Sequence, residues 1–333
     1  MSGTRQSTAG LNEPFLLNPA YKDYLWGGDA LKKEYGKDAD CTPLAESWEC
    51  STHPDGTSTV GSGVFQGMSL RDLVKVYPQM LGTHPAVKDG LPVLIKFIDA
   101  KQDLSVQVHP DDDYACVHEG GSLGKSEMWY VLSAEPDAQI IYGFSHDTDR
   151  EEVRSALQEG ALMKHLRRIP VHANDVFFIP AGTVHAIGKG TVVAEIQESS
   201  NLTYRLYDYD RADASGRKRA LHIDQAMDVL DYRSREDIRQ PMRVLRYRPG
   251  YASELLVRCR YFQTERVLLN SKKGIDQKTD SASFEVFLCI EGSGVLRWEE
   301  GEISWCKGSC IFVPADSVHM KLYGNAQLLK VRC

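Results

Sequence analysis

This 333-residue chain lacks several sequence features that would assign a protein to a functional class directly. Basic residues are not in excess: the net charge of −7 and pI of about 5.8 argue against a protein that binds nucleic acid by neutralising phosphates. No apolar run reaches the length of about 20 residues that a membrane-spanning helix needs. The N-terminus has no apolar segment of the kind that a secretory signal carries. We therefore expect a cytoplasmic protein with neither a nucleic acid nor a membrane as a partner.

The cysteines also lack a recognisable arrangement, because no two of the eight are spaced as CxxC. In a chain without an export signal, thiols are normally reduced and pack as small apolar side chains. The sequence therefore predicts free and mostly buried cysteines rather than a zinc finger or a redox pair. The eight are Cys41, Cys50, Cys116, Cys259, Cys289, Cys306, Cys310 and Cys333.

Many short strand-like runs, separated by Gly, Pro, Asn and Asp, fill most of the chain. This spacing is typical of a β-sandwich or β-barrel. Three stretches have helical periodicity instead: residues 69–81, with Ser69 as N-cap, residues 147–168 and residues 222–232. The predicted fold class is mainly β, with inserted α-helices.

One block of sequence occurs twice. Residues 174–185 and 308–319 both read as a strand followed by Pro-Ala-x-x-x-His. The pattern indicates two copies of one β-domain. We predict a flexible N-terminal arm over residues 1–20, a first domain with a helical insertion over 21–240, a linker near 233–248 and a second domain over 241–333. The matching pairs are Phe178/Phe312, Pro180/Pro314, Ala181/Ala315, Val184/Val318 and His185/His319.

The first copy contains a set of potential metal ligands. In the strand at residues 104–109, side chains alternate between two faces, so Ser105, Gln107 and His109 share one face. Glu127 begins a later apolar strand, and His185 follows the Pro-Ala-Gly turn. Two imidazoles, a carboxylate and an amide oxygen suit Zn²⁺ and leave positions open for a substrate or water. Each residue alone is more often structural, but together they predict one metal site.

The remaining histidines have no comparable partners in the sequence, and we interpret them as structural. His319 repeats His185, but its copy has Phe284 where Glu127 stands and no Gln-x-His strand. We therefore expect the second domain to be metal-free and to serve packing or assembly. The histidines interpreted as structural are His53, His84, His118, His146, His165, His172 and His222.

The turn-plus-histidine block resembles a signature of the cupin superfamily, and longer segments resemble the short bacterial form of the type I phosphomannose isomerase family. These segments are residues 24–28, 44–49, 91–115, 124–132, 180–190 and 195–211, together with the helix at residue 222. The resemblance implies two cupin-type jelly-roll β-barrel domains. It also implies one Zn²⁺ held by Gln107, His109, Glu127 and His185, and a phosphosugar substrate. The implied reaction interconverts mannose 6-phosphate and fructose 6-phosphate through an enediol-type intermediate.

The same resemblance implies roles for other residues of the first domain. Arg205 matches a catalytic arginine, which could stabilise developing negative charge, and Glu195 matches a glutamate that is a candidate general base. Lys96, Ser105 and Lys125 match phosphate or substrate contacts, and Lys125 is also a catalytic candidate. Lys96 stands out even without the family, because a lysine inside an apolar strand is costly unless its charge faces a cleft.

Other interpretations of these residues remain open from the sequence. Arg205 could simply pair with Asp208 or Asp210, Glu195 could be a buried carboxylate paired with Arg205, and Lys125 could lie in a surface turn. At the level of function, the alternatives are a cupin that binds a metal and a sugar phosphate without turnover, and an Fe²⁺ cupin dioxygenase. The sequence pattern specifies no oligomeric state.

Overall fold

The computed structural model describes residues 10–213, 215–234 and 243–333, whose regular structure consists mostly of antiparallel strands. Residues 1–9 of the predicted arm and residues 235–242 of the predicted linker lie outside the described residues. The strands are β1 (Phe15–Asn18), β2 (Ala20–Lys22), β3 (Glu46–Cys50), β4 (Thr59–Val60), β5 (Val93–Ala100), β6 (Val106–Val108), β7 (Glu127–Ala134), β8 (Gln139–Phe144), β9 (Leu166–Pro170), β10 (Val176–Ile179), β11 (His185–Ile187), β12 (Thr191–Glu198), β13 (Tyr204–Tyr207), β14 (Arg246–Arg248), β15 (Tyr251–Arg258), β16 (Gln263–Gln277), β17 (Glu285–Trp298), β18 (Gly301–Cys306), β19 (Cys310–Val313) and β20 (Met320–Arg332).

The helices in the described part of the chain are short. No helix there is long and apolar enough to cross a membrane. The α-helices are α1 (Ala30–Tyr35), α2 (Leu70–Val76), α3 (Asp112–His118), α4 (Arg150–Gln158) and α5 (Ile223–Val229), and 3₁₀ turns cover Pro78–Leu81, Pro85–Val87 and Leu162–Lys164.

The predicted helices are present, but they are shorter than their periodicity suggested. Ser69 is the N-cap of α2, as expected, and the helix ends before Pro78 because a residue that precedes proline is disfavoured in the α region. The helix predicted over residues 147–168 is wrong in its second half. There Gly160, with φ of 67°, follows α4, and a 3₁₀ turn and β9 complete the stretch. Helices α1 and α3 were not predicted.

Two units make up the chain, and each is assembled from separate stretches. Among the described residues, one contains residues 10–20, 48–93 and 243–333, and the other contains residues 21–47, 94–213 and 215–234. This interleaved division differs from the consecutive domains expected from the sequence. Within the predicted arm, residues 15–18 form β1, because Phe15 and Leu17 alternate into the core and pair with β19.

The first unit contains the second copy of the repeated block, at β19 and the turn before β20. Its strands belong to a nine-stranded sheet in the order β14-β15-β16-β20-β17-β19-β1-β4, with β18 paired to β17. Phe284 is buried and stacks on Phe312, with ring centroids 5.3 Å apart. His319 is 63% exposed and lies 3.2 Å from Asp276. An aromatic stack therefore lies where the first copy has a carboxylate.

Two other sheets carry the candidate site. One has the order β10-β7-β12-β5-β3-β2 and the other has the order β13-β6-β11-β8-β9. The pairing of β6 with β11 sets His185 opposite Gln107, and the pairing of β6 with β13 sets Arg205 opposite the same glutamine. In the other sheet, Glu127 lies opposite Gln197. Apolar residues on the outer face, such as Val106 and Val108, pack into a separate core cluster. The register thus gathers the polar side chains on one side.

None of the eight cysteines belongs to a disulfide, and only three of them are buried, fewer than the sequence predicted. Cys50, Cys289 and Cys310 are buried, three others are part-buried, and Cys116 and Cys306 are exposed. Burial raises the pKa of the Cys289 thiol to about 12, so this thiol stays protonated and acts as an apolar side chain.

Replacing Ser69 tests whether its side-chain hydrogen bond stabilises the N-terminus of α2. The Ser69 hydroxyl accepts a hydrogen bond from the Asp72 N–H at 3.0 Å, and we expect Ser69→Ala to lower the free energy of unfolding by about 1 kcal/mol. Ser155→Ala, at an exposed position inside α4, is the matched control and should change it by less than about 0.5 kcal/mol. Urea unfolding measures both, and equal effects would contradict the capping role.

Candidate metal centre and its pocket

Three strand ends bring His109, Glu127 and His185 together. His109 directly follows β6, Glu127 is the first residue of β7, and His185 is the first residue of β11. Each side chain is at most 1% exposed, and their ligand atoms all lie within 4.8 Å of one another. The Glu127 carboxylate lies 3.4 Å from His109 Nε2 and 3.3 Å from His185 Nε2. The structure thus joins three of the four predicted ligands in one buried cluster.

Gln107, the fourth predicted ligand, lies beside this cluster. Its side-chain Nε2 is 3.4 Å from His185 Nε2, and its Oε1 is 3.4 Å from the Ser105 hydroxyl. The strand alternation predicted for residues 105–109 therefore holds, because Ser105 and Gln107 both line the cavity next to the cluster. Leu104 also lines this cavity, although strict alternation would place it on the opposite face. It lies before the first residue of β6, where the strand alternation does not apply.

The protonation of both imidazoles suits ligation of a metal. The Nδ1–H of His185 donates to the Thr183 carbonyl oxygen at 2.8 Å, which leaves Nε2 as the acceptor atom in a neutral ring. The Lys125 ammonium, a donor only, lies 3.0 Å from His109 Nε2, so this nitrogen is also an acceptor. Burial lowers the pKa of His185, and burial together with the charge of Lys125 holds the pKa of His109 well below its usual range.

Glu127 supplies the negative charge of the cluster. Burial alone would raise the pKa of this carboxyl, but Lys125 and His185 lower it below its ordinary value. Lys125 Nζ lies 2.6 Å from Glu127 Oε2 and is itself 4% exposed. Lys125 is therefore a buried pocket residue rather than a surface turn residue. Two neutral imidazoles and an ionised carboxylate are a donor set that fits a divalent metal such as zinc.

A cavity of about 280 Å³ opens beside the cluster. Its wall combines apolar core residues with charged and polar side chains, and it contains all the predicted substrate contacts. It is lined by Tyr24, Trp26, Glu46, Lys96, Ile98, Leu104, Ser105, Gln107, Lys125, Trp129, Ile187, Glu195, Asn201, Thr203, Arg205 and Arg219.

Both carboxylate oxygens of Glu195 have a polar partner. The Trp129 Nε1–H donates to Oε1 at 3.1 Å, and Lys96 Nζ lies 3.3 Å from Oε2. Lys125 Nζ lies 3.9 Å from Oε1. Glu195 therefore pairs with two lysines, and the structure does not support the alternative in which it pairs with Arg205. Its side chain is 4% exposed, so water screens these interactions little.

Lys96 is the cation between two buried acids. Besides Glu195, its ammonium lies 3.6 Å from Glu46 Oε2. Burial would lower the pKa of Lys96, but Glu46 and Glu195 raise it above its usual value, so the lysine stays charged. Glu46 was not predicted as a pocket residue. The sequence did contain a signal for it: the buried charge of Lys96 needs an acidic partner, and Glu46 lies in one of the segments that carry the family resemblance.

Arg205 projects into the cavity from β13. Its Nε donates to the Ser105 hydroxyl at 3.2 Å and its Nη1 donates to the Ala220 carbonyl at 2.9 Å. Burial and the nearby charge of Arg219 lower the pKa of this guanidinium. The hydrogen bonds to neutral partners and the lowered pKa both indicate that the charge of Arg205 is available to bind an anion.

The carboxylates that could have paired with Arg205 have other cations. Arg219 contacts Asp208 through two hydrogen bonds of 2.8 and 2.6 Å, and Arg211 contacts the same carboxylate at 2.6 Å. Asp210 pairs with Lys218 at 2.9 Å. The alternative that Arg205 merely pairs with Asp208 or Asp210 is therefore not what the structure shows.

Two histidines interpreted as structural have partners that the sequence did not reveal. His146 and His165 both lie close to Glu152, outside the cavity. These two histidines are separated in the sequence by α4, so their spacing does not match a metal-binding motif. By contrast, His222 is the N-cap residue of α5, and its Nδ1 accepts the Arg205 N–H at 3.2 Å.

Two family profiles match the sequence. The profile for the type I phosphomannose isomerase catalytic domain matches residues 15–131, and that for the mannose-6-phosphate isomerase cupin domain matches residues 253–333. The mannose-6-phosphate isomerase ManA of Bacillus subtilis is 36% identical over 320 residues, which cover 95% of this chain and 98% of the relative. A mannose-6-phosphate isomerase of Streptococcus mutans is 46% identical over 218 residues, or 66% of this chain and 68% of the relative.

Solved structures have the same fold. The crystal structure of the mannose 6-phosphate isomerase from Bacillus subtilis matches with a TM-score of 0.88 and 32% identity over 96% of this chain and 99% of that one. A zinc-bound mannose 6-phosphate isomerase matches with a TM-score of 0.74 at 17% identity, covering 96% of this chain and 99% of that one, which supports the fold alone. The mainly β, cupin-type fold class predicted from the sequence is confirmed.

A buried acid behind the cluster predicts a pH dependence of stability. Burial raises the pKa of Glu198 to about 8, while its Oε1 accepts the Ser126 N–H at 2.6 Å. The folded protein therefore binds a proton that the unfolded chain, with its ordinary glutamate pKa, has released. Stability must fall as the pH rises between these two pKa values.

We expect Glu198→Gln, which keeps the acceptor for the Ser126 N–H, to flatten this dependence. Between about pH 5 and pH 8, the wild type should lose on the order of 2–4 kcal/mol more than the variant. Urea unfolding across that range measures the difference. Glu135→Gln, at a side chain 66% exposed, is the control and should follow the wild type. Parallel curves for the wild type and Glu198→Gln would show that Glu198 has no such role.

Proposed function

Because the chain belongs to the type I phosphomannose isomerase family, we propose that it interconverts mannose 6-phosphate and fructose 6-phosphate. The observation that carries this proposal is one cavity in which the metal-type cluster, the buried acid Glu195 and the guanidinium of Arg205 meet. The reaction moves a proton between C2 and C1 while negative charge develops on the attached oxygens. It therefore needs a proton acceptor and groups that stabilise an oxyanion, and this cavity contains both.

The cofactor of the proposed reaction is one Zn²⁺ ion held by His109, Glu127 and His185, with Gln107 as the fourth ligand once its amide group turns Oε1 from Ser105 toward the cluster. Bound there, zinc would supply a Lewis acid for the two sugar oxygens without redox chemistry. The neutral imidazoles and the ionised carboxylate support this assignment. The hydrogen bond from His185 Nδ1–H to the Thr183 carbonyl holds that ring with Nε2 directed into the cluster.

Glu195 is the group that we assign to take the proton from one carbon and return it to the next. Trp129 and Lys96 each contact one of its oxygens, so the carboxylate is fixed in orientation rather than free to rotate. A fixed base has less freedom to lose when it reacts. The contacts of Lys96 with Glu46 and Glu195 favour a role in holding Glu195 over its predicted contact with phosphate.

Lys125 and Arg205 supply positive charge on two sides of the cavity. Lys125 lies against Glu127 and His109, so its contacts favour the catalytic role among those predicted, next to the reacting oxygens. Arg205 stabilises developing negative charge and, together with Ser105, offers donors toward the substrate. Arg219 also lines the cavity with its Nε and Nη2 held by Asp208, and we assign it to the phosphate group with Ser105 as a fixed positive charge.

The alternatives from the sequence lose support. A protein that only binds a sugar phosphate has no use for a buried base with both oxygens fixed, and the relatives that align over most of this chain carry the name of an isomerase. Within the same proposal, the protein acts in the cytoplasm in mannose and carbohydrate metabolism. This location fits a phosphorylated substrate, whose charge prevents it from crossing membranes freely.

Turnover tests the proposed reaction directly. We expect the purified protein to convert mannose 6-phosphate to fructose 6-phosphate in a coupled assay, to lose this activity on chelation and to recover it with Zn²⁺. Iron rather than zinc in the purified protein, without isomerase turnover, would instead favour the oxygenase. Absence of turnover with every divalent metal would overturn the isomerase assignment and favour the binding protein.

Two substitutions separate the metal from the chemistry. His185→Ala should lower the zinc content by one ion per chain and abolish turnover, because it removes a ligand from the buried cluster. Arg205→Ala should keep that zinc and lower kcat by about 100-fold or more, since a positioned donor to developing charge is lost. The control is Arg217→Ala, 83% exposed and paired only with Asp213 in the ion pairs of the described chain. An unchanged kcat in Arg205→Ala would contradict the role of Arg205.

A further inference from the structure

A second group of metal-ligating side chains lies outside the cavity. His146 follows β8, Glu152 lies in the first turn of α4, and His165 directly precedes β9. Their ligand atoms lie within 4.8 Å of one another. Glu152 Oε1 is 3.1 Å from His146 Nε2 and 3.2 Å from His165 Nδ1. One carboxylate oxygen therefore faces a nitrogen of each imidazole.

Hydrogen bonds around His146 orient its ring toward Glu152. The Ser145 hydroxyl donates its single hydrogen to the His165 carbonyl oxygen at 3.0 Å. Its contact of 3.1 Å with His146 Nδ1 must then be a hydrogen bond from Nδ1–H to the hydroxyl oxygen. The other ring nitrogen, Nε2, therefore faces the Glu152 carboxylate. Either a proton on this nitrogen or a metal ion can link the two groups at this distance.

The other two side chains are also oriented toward a common point. The Thr148 hydroxyl donates to Glu152 Oε2 at 2.8 Å, which leaves Oε1 for the imidazoles. His165 Nδ1 is shielded from solvent and has no hydrogen-bond partner among the described residues. The backbone N–H of Ser145 donates to the His165 carbonyl at 2.8 Å, so the segments that carry the two histidines are tied together. Such outer hydrogen bonds orient ligands in metal sites.

We propose that His146, Glu152 and His165 form a second, surface site for a divalent transition-metal ion, and that Zn²⁺ occupies it. Two ligand atoms that each lie about 2.0 Å from one tetrahedral ion are about 3.3 Å apart. The observed spacings of 3.1 and 3.2 Å are close to that value. The side chains are 50%, 41% and 22% exposed, so an ion reaches the site from solvent, and water completes its coordination. The ion would join the end of β8, the start of α4 and the start of β9.

Zinc stoichiometry tests this site independently of catalysis. Metal-free protein is dialysed against micromolar ZnCl₂ and its zinc is measured by atomic emission. We expect two ions per chain in the wild type and one in both His146→Ala and Glu152→Gln. Their isomerase activity should stay at the wild-type level, which also shows that the variants fold. His172→Ala is the control, because His172 is exposed and contacts Asp175 instead of this cluster, and it should hold two ions.

A reciprocal measurement distinguishes the two sites. When the buried site is removed by His185→Ala, the remaining ion should still bind, and the addition of Glu152→Gln should remove it. One ion in the wild type, or two ions in both His146→Ala and Glu152→Gln, would overturn the proposal. A protein that holds two ions but lacks turnover would leave the surface site supported and contradict only the proposed reaction.

Discussion

The buried carboxylate of Glu127 is the interaction on which the site depends. It is fully enclosed, and it contacts two imidazoles and the ammonium of Lys125 at once. A buried charge is tolerated only when partners surround it, and the positive charge of Lys125 compensates this carboxylate, while burial keeps both histidines neutral. Lys125 in turn reaches Glu195, whose other partner, Lys96, reaches Glu46. The polar interior is therefore one connected chain of compensating charges.

Much of the site could be predicted because its signals are local. Side chains alternate along a strand, so the ligand face of residues 105–109 was visible in the sequence, and the turn before His185 has a characteristic pattern. Other features depend on contacts between distant segments. The pairing of Lys96 with Glu46 joins two strands, and the partner of Arg205 was decided by Arg211 and Arg219, which neutralise Asp208 first.

The fold shows the same division between local and distant causes. The N-cap of α2 and the repeated strand-turn block follow from neighbouring residues, and both are present. The helix expected over residues 147–168 was too long, because periodicity does not register the left-handed backbone at Gly160. The approach of His146 to His165 was hidden for the same reason: the intervening α4 turns the chain back, and only the folded structure shows the result.

The strand register has a consequence for how such a chain can vary. His185 and Arg205 both lie opposite Gln107, and an irregularity between Arg205 and Tyr207 ends the regular pairing. A single-residue insertion or deletion within β6 would turn each following side chain of that strand to the opposite face of the sheet. It would thereby separate Gln107 from His185 and Arg205. Length changes in the gene are therefore tolerable in the turns, where the strands can keep their alignment.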